Sequence, residues 1–249
     1  MGEGAIAMRK VFIGDMTREE FRKMMDAAKI AVIPTGSAEQ HGPHLPIKTD
    51  LAIVTHVVSK AAEELYPKVI VVPPIAIGYS PYHMCYPGTI SLRHETLIEI
   101  ILDICRSLRH HGFLKIAIVN GHGGNIAPSQ LAARKAREEL GLKMLVVSYW
   151  SLIPRQVLDA VLETKIVPGH ACEFETSMGY VIFPDLISRD VPRRRKSPSI
   201  LPGFVWNIDE LTADGYEGDP SLATKEKGEI LLKAAVEGLK SLLQDFINI

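Results

Sequence analysis

The chain alternates between short apolar runs and longer segments in which apolar residues recur with helical spacing. The runs are rich in β-branched residues and continuously apolar, which is typical of strands covered on both faces; they span residues 30–34, 69–73, 114–119 and 144–148. Apolar positions three and four apart predict helices over residues 18–29, 50–65, 94–110, 127–140, 173–182 and 221–246. The alternation predicts an α/β fold with a mostly parallel sheet and helices on both faces.

Polar, glycine-rich or histidine-rich segments follow the predicted strands rather than precede them. They span residues 35–50, 78–91 and 120–125, and a fourth surrounds His170. In a parallel sheet, ligands bind beyond the carboxyl ends of the strands. We therefore expect these four loops to meet at one edge of the sheet.

Composition narrows the class of protein. With 28 Lys and Arg against 29 Asp and Glu, the 249-residue chain has a formal net charge of −1, whereas nucleic-acid binding favours a positive field. No apolar run reaches the roughly 18 residues of a membrane helix, and the N-terminal residues lack the pattern of a signal peptide. Three cysteines without CxxC spacing fit a reducing compartment. We expect one cytoplasmic domain over residues 1–249 that binds neither nucleic acid nor membrane.

The loop after the first predicted strand concentrates potential metal ligands. Glu39, His41, His44 and Asp50 all fall within residues 39–50. Carboxylate and imidazole are the ligands of catalytic zinc, iron and manganese. The alternative is a structural turn in which Asp50 caps the next helix. A single histidine would favour that alternative, but four potential ligands in one loop favour a metal site.

Residues 120–125 (NGHGGN) place His122 among glycines directly after the third predicted strand. Glycine lets the backbone turn sharply and lets a ligand approach closely. A dinucleotide fingerprint would need a third glycine where this chain has Ile126, and a phosphate-binding Walker loop would need Gly-Lys-Ser/Thr. A metal-binding histidine is therefore favoured over a nucleotide-binding loop and over a purely structural turn.

The segment around His170 leads into a predicted helix whose first turn carries Glu173 and Glu175. Acidic residues also suit the positive end of the helix dipole, which is the structural alternative. Because the two glutamates are two residues apart, they point in different directions, and at most one faces a common site easily. His170 is placed to hydrogen-bond a substrate or a bound water.

Two further segments carry weaker predictions. Residues 79–89 are rich in aromatic residues and proline, and they form either a pocket wall or a structural loop. Cys85 lies in this loop without an assigned base and is disfavoured as a nucleophile. The basic run 193–196 is expected to be a solvated loop or an oligomer contact, with binding of an anionic substrate as the alternative.

Four segments resemble the signature of the creatininase (creatinine amidohydrolase) family. They are residues 36–46 (GSAEQHGPHLP, ending at Thr49-Asp50), 86–91 (YPGTIS), 120–125 (NGHGGN) and 170–177 (HACEFETS). The resemblance runs from about residue 13 to residue 240. It implies a three-layer α/β/α fold, one creatininase-like domain, a site for two divalent metal ions, amide or cyclic-amide hydrolysis, and a homohexamer.

The resemblance also implies roles for the first loop. Carried over by motif position, Glu39 binds one metal, His41 binds the other, Asp50 bridges them, and His122 completes the shell of the first metal. The implied ions are zinc, ferrous iron or manganese.

One departure from creatininase itself is visible after His122. Creatininase has a Tyr–Glu pair there, and its Glu binds the second metal, whereas this chain has Gly123 and Gly124. The chain resembles instead the branch of the family that includes formamidopyrimidine-ribotide deformylase and the mycofactocin precursor peptidase. We expect Glu175 to take over the missing ligand role, with Glu173 as the alternative.

The expected activity is metal-dependent hydrolysis of a non-peptide C–N bond in a small amide, cyclic amide or formamide, through a metal-bridging hydroxide. The alternatives are creatinine amidohydrolase proper, the deformylase, a catalytically degenerate small-molecule-binding member, and a nucleotide-binding protein. Catalytic proton transfer is expected from Glu175, His170 and Glu173. Contacts to the substrate are expected from Ser80, His83, Gly123 and Gly124.

Overall fold

The computed structural model describes residues 9–164, 167–194 and 205–249. Within these residues, four strands form one parallel sheet in the order β2-β1-β3-β4. The strands are β1 Ile30–Thr35, β2 Val69–Val71, β3 Lys115–Asn120 and β4 Lys143–Ser148. The predicted parallel sheet is confirmed, and each predicted strand is present.

Helices occupy the segments between and after the strands. They are α1 Arg18–Ala27, α2 Thr49–Glu64, α3 His94–His110, α4 Ile126–Leu140, α5 Arg155–Val161, α6 Glu173–Ile182, α7 Ile208–Leu211 and α8 Lys225–Asn248. Helices α2, α6 and α8 pack on one face of the sheet, and α1, α3 and α4 pack on the other. This is the expected three-layer α/β/α arrangement.

The pleat of the strands explains why both layers are apolar. In β1, Ile30 and Val32 point to the face covered by α2, α6 and α8, while Ala31 and Ile33 point to the face covered by α1, α3 and α4. All four side chains are fully buried. Successive side chains alternate between faces, so a strand between two helical layers must be apolar at every position.

Local sequence signals set the start of α1 and the end of α4. The Thr17 side chain accepts a hydrogen bond from the Glu20 N–H, and the Glu20 carboxylate accepts one from the Thr17 N–H, forming a capping box at the start of α1. Gly141 ends α4 in the left-handed region, with a φ of 66°, where glycine has no steric penalty.

Several predicted boundaries differ from those of the structure, and three of the differences concern α2, β2 and α8. Asp50 is not the cap of α2, because the helix begins one residue earlier and Asp50 lies within its first turn. Strand β2 stops at Val71, since the prolines that follow lack the N–H that a ladder needs. Helix α8 begins at Lys225 because Thr224 caps it by accepting a hydrogen bond from the Lys227 N–H.

No helix among the described residues is long and apolar enough to cross a membrane. The cytoplasmic location stays a prediction.

Candidate metal centre

The loops that follow the strands meet at the carboxyl edge of the sheet, as predicted. The ends of β1 and β3 are joined there by a hydrogen bond from Thr35 Oγ1 to Asn120 Oδ1 of 3.2 Å. Beyond this edge lies a cavity of about 450 Å³. Residues from all four loops line it, among them Glu39, His83, His122 and His170.

Glu39, Asp50 and His122 form the first group of potential ligands. His122 Nδ1 lies 3.1 Å from Glu39 Oε2 and 3.1 Å from Asp50 Oδ2. All three side chains are buried. The other ring nitrogen, His122 Nε2, lies 3.0 Å from the carbonyl oxygen of Tyr79. Because a carbonyl only accepts, Nε2 carries the proton in the neutral ring, and the lone pair of Nδ1 faces the two carboxylates.

His41 belongs to a second group of potential ligands, and its ring is oriented by a backbone carbonyl in the same way as that of His122. His41 Nδ1 lies 3.1 Å from the backbone oxygen of Glu39, so this nitrogen donates. His41 Nε2 then faces Asp50 Oδ1 at 3.1 Å and Glu175 Oε2 at 3.9 Å. A histidine that donates one ring N–H to a carbonyl and turns its other nitrogen to carboxylates has the orientation typical of metal-binding histidines.

Asp50 lies between the two groups, with one carboxylate oxygen toward each histidine. Its Oδ2 is buried and makes no hydrogen bond with any described residue. A buried carboxylate oxygen without a hydrogen bond carries an energetic cost that a cation removes. The donor set of carboxylates and imidazoles suits zinc, manganese or ferrous iron, so the residues present fit a divalent metal site.

Burial and crowding shift the pKa values of these groups in a way that also favours cations. Burial first, and then the neighbouring Asp50 carboxylate, raises the pKa of Glu175 to about 8. Burial lowers the pKa of His41, but the carboxylates of Asp50, Glu175 and Glu39 outweigh it and raise that pKa to about 10. The three carboxylates therefore attract positive charge into a buried space.

A family model described as "Creatininase: Creatinine amidohydrolase" matches residues 14–243. The chain belongs to the creatininase family.

Relatives within the family carry different names. The creatinine amidohydrolase of Pseudomonas putida is 28% identical over 95% of this chain and 97% of its own length. The mycofactocin precursor peptide peptidase of Mycolicibacterium smegmatis is 32% identical over 87% of this chain and 85% of its own. A 2-amino-5-formylamino-6-ribosylaminopyrimidin-4(3H)-one 5'-monophosphate deformylase of Methanothermus fervidus is 33% identical over 88% of this chain and 82% of its own length.

Solved creatininases share the fold. A crystal structure of creatinine amidohydrolase (creatininase) is 28% identical and superposes with a TM-score of 0.87 over 96% of this chain and 98% of that one. A structure described as "Creatininase Mn" gives 29% identity and a TM-score of 0.84 over 95% and 98%. A mutant creatininase described as "Zn-Zn type" is 29% identical and superposes with a TM-score of 0.83 over 95% of this chain and 98% of that one.

The departure from creatininase after His122 has a steric basis. A Cβ atom on Gly124 would overlap the backbone oxygen of Tyr79, and it would lie 2.6 Å from the Tyr82 hydroxyl. No side chain fits at residue 124, so a metal ligand cannot come from this position. A Cβ atom on Gly123 would meet nothing within 4 Å, and Gly123 lines the cavity.

Of the two glutamates of α6, only Glu175 faces the candidate metal centre. Glu173 is fully buried elsewhere. Its Oε2 accepts hydrogen bonds from the backbone N–H and the hydroxyl of Thr164 at 2.8 and 2.7 Å, and its Oε1 pairs with Lys227 Nζ at 2.6 Å. These partners occupy the Glu173 carboxylate, so the geometry favours Glu175 over the alternative of Glu173, and the assignment of the ligand stays a prediction.

Ser80 and Gly124 do not line the cavity, in contrast to their predicted role in substrate contact. Ser80 Oγ donates to Glu39 Oε2 at 2.5 Å and is fully buried, so it fixes the orientation of a potential ligand. Gly124 provides space for Tyr79 and Tyr82. Among the described residues, His83 and Gly123 are the predicted substrate-contact residues that line the cavity.

Several cavity residues carried no usable sequence signal. The cavity is also lined by Trp150, Trp206 and Glu217. Trp206 and Glu217 come from a segment in which the sequence shows no motif. Gln40 stands between two potential ligands, and its position alone could have drawn attention to it. No lysine or arginine is among the described residues that line the cavity. Of the basic run, Arg195 and Lys196 lie outside the described residues.

Proposed function

We propose that this chain is a metal-dependent amidohydrolase that cleaves a non-peptide C–N bond in a small amide, cyclic amide or formamide. The observation that carries the proposal is the placement of Asp50, whose two oxygens face His122 and His41 at 3.1 Å each. A carboxylate that faces two imidazoles, each held in the tautomer of a metal ligand, supports a pair of ions with Asp50 between them.

Five residues would hold the two ions. Glu39 and His122 would bind one, His41 and Glu175 the other, and Asp50 both. When bound, divalent ions supply Lewis acidity, which polarises a carbonyl and lowers the pKa of water from 15.7 toward neutrality. Zinc, manganese and ferrous iron all suit this donor set.

His170 is the residue best placed to move a proton to the leaving nitrogen. It lines the cavity, and its Nδ1 lies 3.6 Å from Glu39 Oε1. Its Nε2 lies 2.9 Å from both the backbone oxygen and the side-chain nitrogen of Gln40. The ring therefore finds a hydrogen-bond partner with the proton on either nitrogen, which suits a group that accepts and returns a proton.

The cavity walls favour a small, flat and uncharged substrate. Its volume of about 450 Å³ lies in the range of small-molecule sites, and Tyr82, Trp150 and Trp206 provide aromatic faces. The described wall offers no lysine or arginine to a phosphate, which favours an unphosphorylated amide over the monophosphate named for the archaeal relative. The glycines at 123 and 124 favour a formamide or other small amide over creatinine.

The decisive experiment measures metal content per chain by inductively coupled plasma mass spectrometry on protein purified anaerobically without added metal. We expect close to two equivalents. The metal found is then used to screen formamides, cyclic amides and creatinine for hydrolysis, and Asp50→Ala is expected to lose metal and turnover together.

Two outcomes would overturn the proposal. One is the absence of metal after incubation with each ion and desalting. The other is full activity of Asp50→Ala. Ions retained without turnover of any amide would favour a catalytically degenerate binding protein instead. The homohexamer implied by the family and the cytoplasmic location expected from the cysteine pattern stay predictions, and size-exclusion chromatography with light scattering tests the first.

A further inference from the structure

We infer that Gln40 is a positioning residue whose side-chain amide holds His83 as a fixed N–H donor into the cavity, rather than as a metal ligand. One part of the inference rests on the proposed function: the group that His83 would contact is then the carbonyl oxygen of an amide substrate. The position of the proton on His83 is a property of the protein and can be tested without a substrate.

Whether His83 is an N–H donor or a metal ligand must be decided, because His83 also belongs to a third group of potential ligands. Glu39, His83 and His170 place one ligand atom each within 4.8 Å of the others, and all three are buried. His83 Nε2 and His170 Nδ1 each lie 3.6 Å from Glu39 Oε1. By distance alone these residues could hold a further ion beside the pair.

The orientation of the Gln40 amide is determined by its neighbours. Gln40 Oε1 lies 2.9 Å from the backbone N–H of Gly42, which donates to it. In the flipped orientation the amide nitrogen would face that N–H, and two donors would oppose each other. Gly215 lies close to this amide, since a Cβ atom at residue 215 would overlap the Gln40 side chain. The NH₂ group therefore faces the two histidines.

This orientation fixes the tautomer of His83. Gln40 Nε2 lies 3.0 Å from His83 Nδ1, so Nδ1 must accept, and the ring proton is on Nε2. A nitrogen that carries a proton cannot donate a lone pair to a metal. His83 is therefore excluded from the third group, and the structure supports two ions rather than three.

The Nε2–H of His83 is left for a ligand. Glu39 Oε1 lies 3.6 Å from it, which is too long for a hydrogen bond. His83 lines the cavity beside His170, with the two ring centroids 4.4 Å apart. A fixed neutral donor aimed at the space beside the metals suits the oxygen of a carbonyl that gains negative charge during hydrolysis.

The first test is a neutron crystal structure of the zinc-loaded, deuterated protein, which shows hydrogen positions directly. We expect deuterium on Nε2 and none on Nδ1 of His83, together with two zinc ions per chain. Deuterium on Nδ1, or a zinc ion bound to His83, would overturn the inference whether or not the chain is an amidohydrolase.

The second test exchanges the donor on residue 40 for an acceptor of the same shape. Gln40→Glu presents only oxygens, so it should draw the His83 proton to Nδ1. We expect two metals to be retained and kcat to fall about 10- to 100-fold, the usual effect of losing a partner of a site residue, with a smaller change in KM. Gln130→Glu makes the same chemical change on the exposed face of α4 and should leave kcat unaltered.

Two substitutions of His83 separate a donor from a structural role. His83→Gln keeps a side-chain N–H and should retain more of kcat than His83→Ala, while both keep two metals. Equal kcat in the two variants, or loss of a metal in either, would contradict the assignment. If Gln40→Glu does not fold, the neutron structure of the unmodified protein still decides.

Discussion

Glu173 and Glu175 lie two residues apart in the first turn of α6, yet their carboxylates face different partners. Glu173 pairs with Lys227 Nζ at 2.6 Å, while Glu175 faces His41 Nε2 at 3.9 Å and accepts a hydrogen bond from the backbone N–H of Ala171. Ala171 adopts a left-handed φ of 48°, a conformation that costs about 1–3 kcal/mol in a non-glycine residue. This unfavourable backbone conformation places the Ala171 N–H where it holds the Glu175 carboxylate toward the candidate metal centre.

Replacing Glu175 should therefore remove a metal. We expect Glu175→Gln to bind about one equivalent instead of two, because an amide is a far weaker ligand than a carboxylate. Turnover should fall by more than the roughly 10- to 100-fold that loss of an outer partner costs. Metal analysis after desalting checks the metal content, and a rate measurement on the substrate found by screening checks the turnover. Two tightly held equivalents in this variant would show that the second ion has other ligands.

Replacing Glu173 should change stability instead. Glu173→Gln leaves Lys227 without its buried partner, and we expect the free energy of unfolding to fall by about 2 kcal/mol, with metal content unchanged. Urea unfolding measures the loss. Glu229→Gln is the matched control, because its pair with Lys225 is exposed on both sides and such pairs contribute about 0–1 kcal/mol. A loss of metal in Glu173→Gln would contradict the separation of the two roles.

The sequence predicted the sheet and the first group of potential ligands because those signals are local. The β-branched runs, the glycines around His122 and the capping box at Thr17 each lie within a few residues of the feature they determine. Parallel strands bring the ends of separate runs to one edge, so the meeting of Glu39 and His122 followed from topology. The periodicity of α6 also predicted that its two glutamates would diverge.

The remaining parts of the site depend on contacts between distant segments. Trp206 and Glu217 reach the cavity only because the chain beyond α6 returns to it, and no local pattern encodes that return. The role of Gln40 depends on Gly42, Gly215 and two histidines from other loops. Residue type alone left Asp50 open as a cap of α2, whereas in the fold its two carboxylate oxygens face His41 and His122.

Removing the metals should destabilise the protein. Glu39, Asp50 and Glu175 are 1%, 3% and 6% exposed, and without ions burial and the neighbouring Asp50 carboxylate oppose ionisation of Glu175 and raise its pKa to about 8. If ions are present at about 100 times their Kd, binding contributes about 2.7 kcal/mol, equivalent to about 5–10 °C in Tm for a chain of this size. Differential scanning calorimetry with and without EDTA measures the shift. Asp50→Asn should show little response to EDTA; an equal response would place the stabilising ions elsewhere.

The buried ring of His44 should make stability depend on pH. Its Nδ1 is buried and makes no hydrogen bond with any described residue. Burial, followed by the neighbouring His41, lowers its pKa from 6.5 to about 4. Above pH 6.5 the ring is neutral in both states. As the pH falls toward 4, the unfolded chain binds a proton that the native state excludes, so stability falls by up to about 3 kcal/mol.

Urea unfolding at pH 7, 5.5 and 4.5 tests this, with His44→Gln as the comparison. Both proteins keep every proposed metal ligand, so their difference isolates the imidazole. We expect the stability advantage of the unmodified protein to shrink as the pH falls. Parallel stability curves would mean that His44 is not the group responsible.

The two glycines after His122 give a matched pair of substitutions. Gly124→Ala forces a methyl group against the Tyr79 backbone and to within 2.7 Å of His122 Nε2, and overpacking of this kind costs about 1–3 kcal/mol. It also breaks the hydrogen bond that fixes the His122 tautomer, so the first metal should bind more weakly. Gly123→Ala adds the same methyl group where nothing lies within 4 Å, and it should keep both Tm and metal content. Thermal unfolding and metal analysis of the pair decide the matter: equal behaviour of the two variants would mean that Gly124 does not control the position of His122.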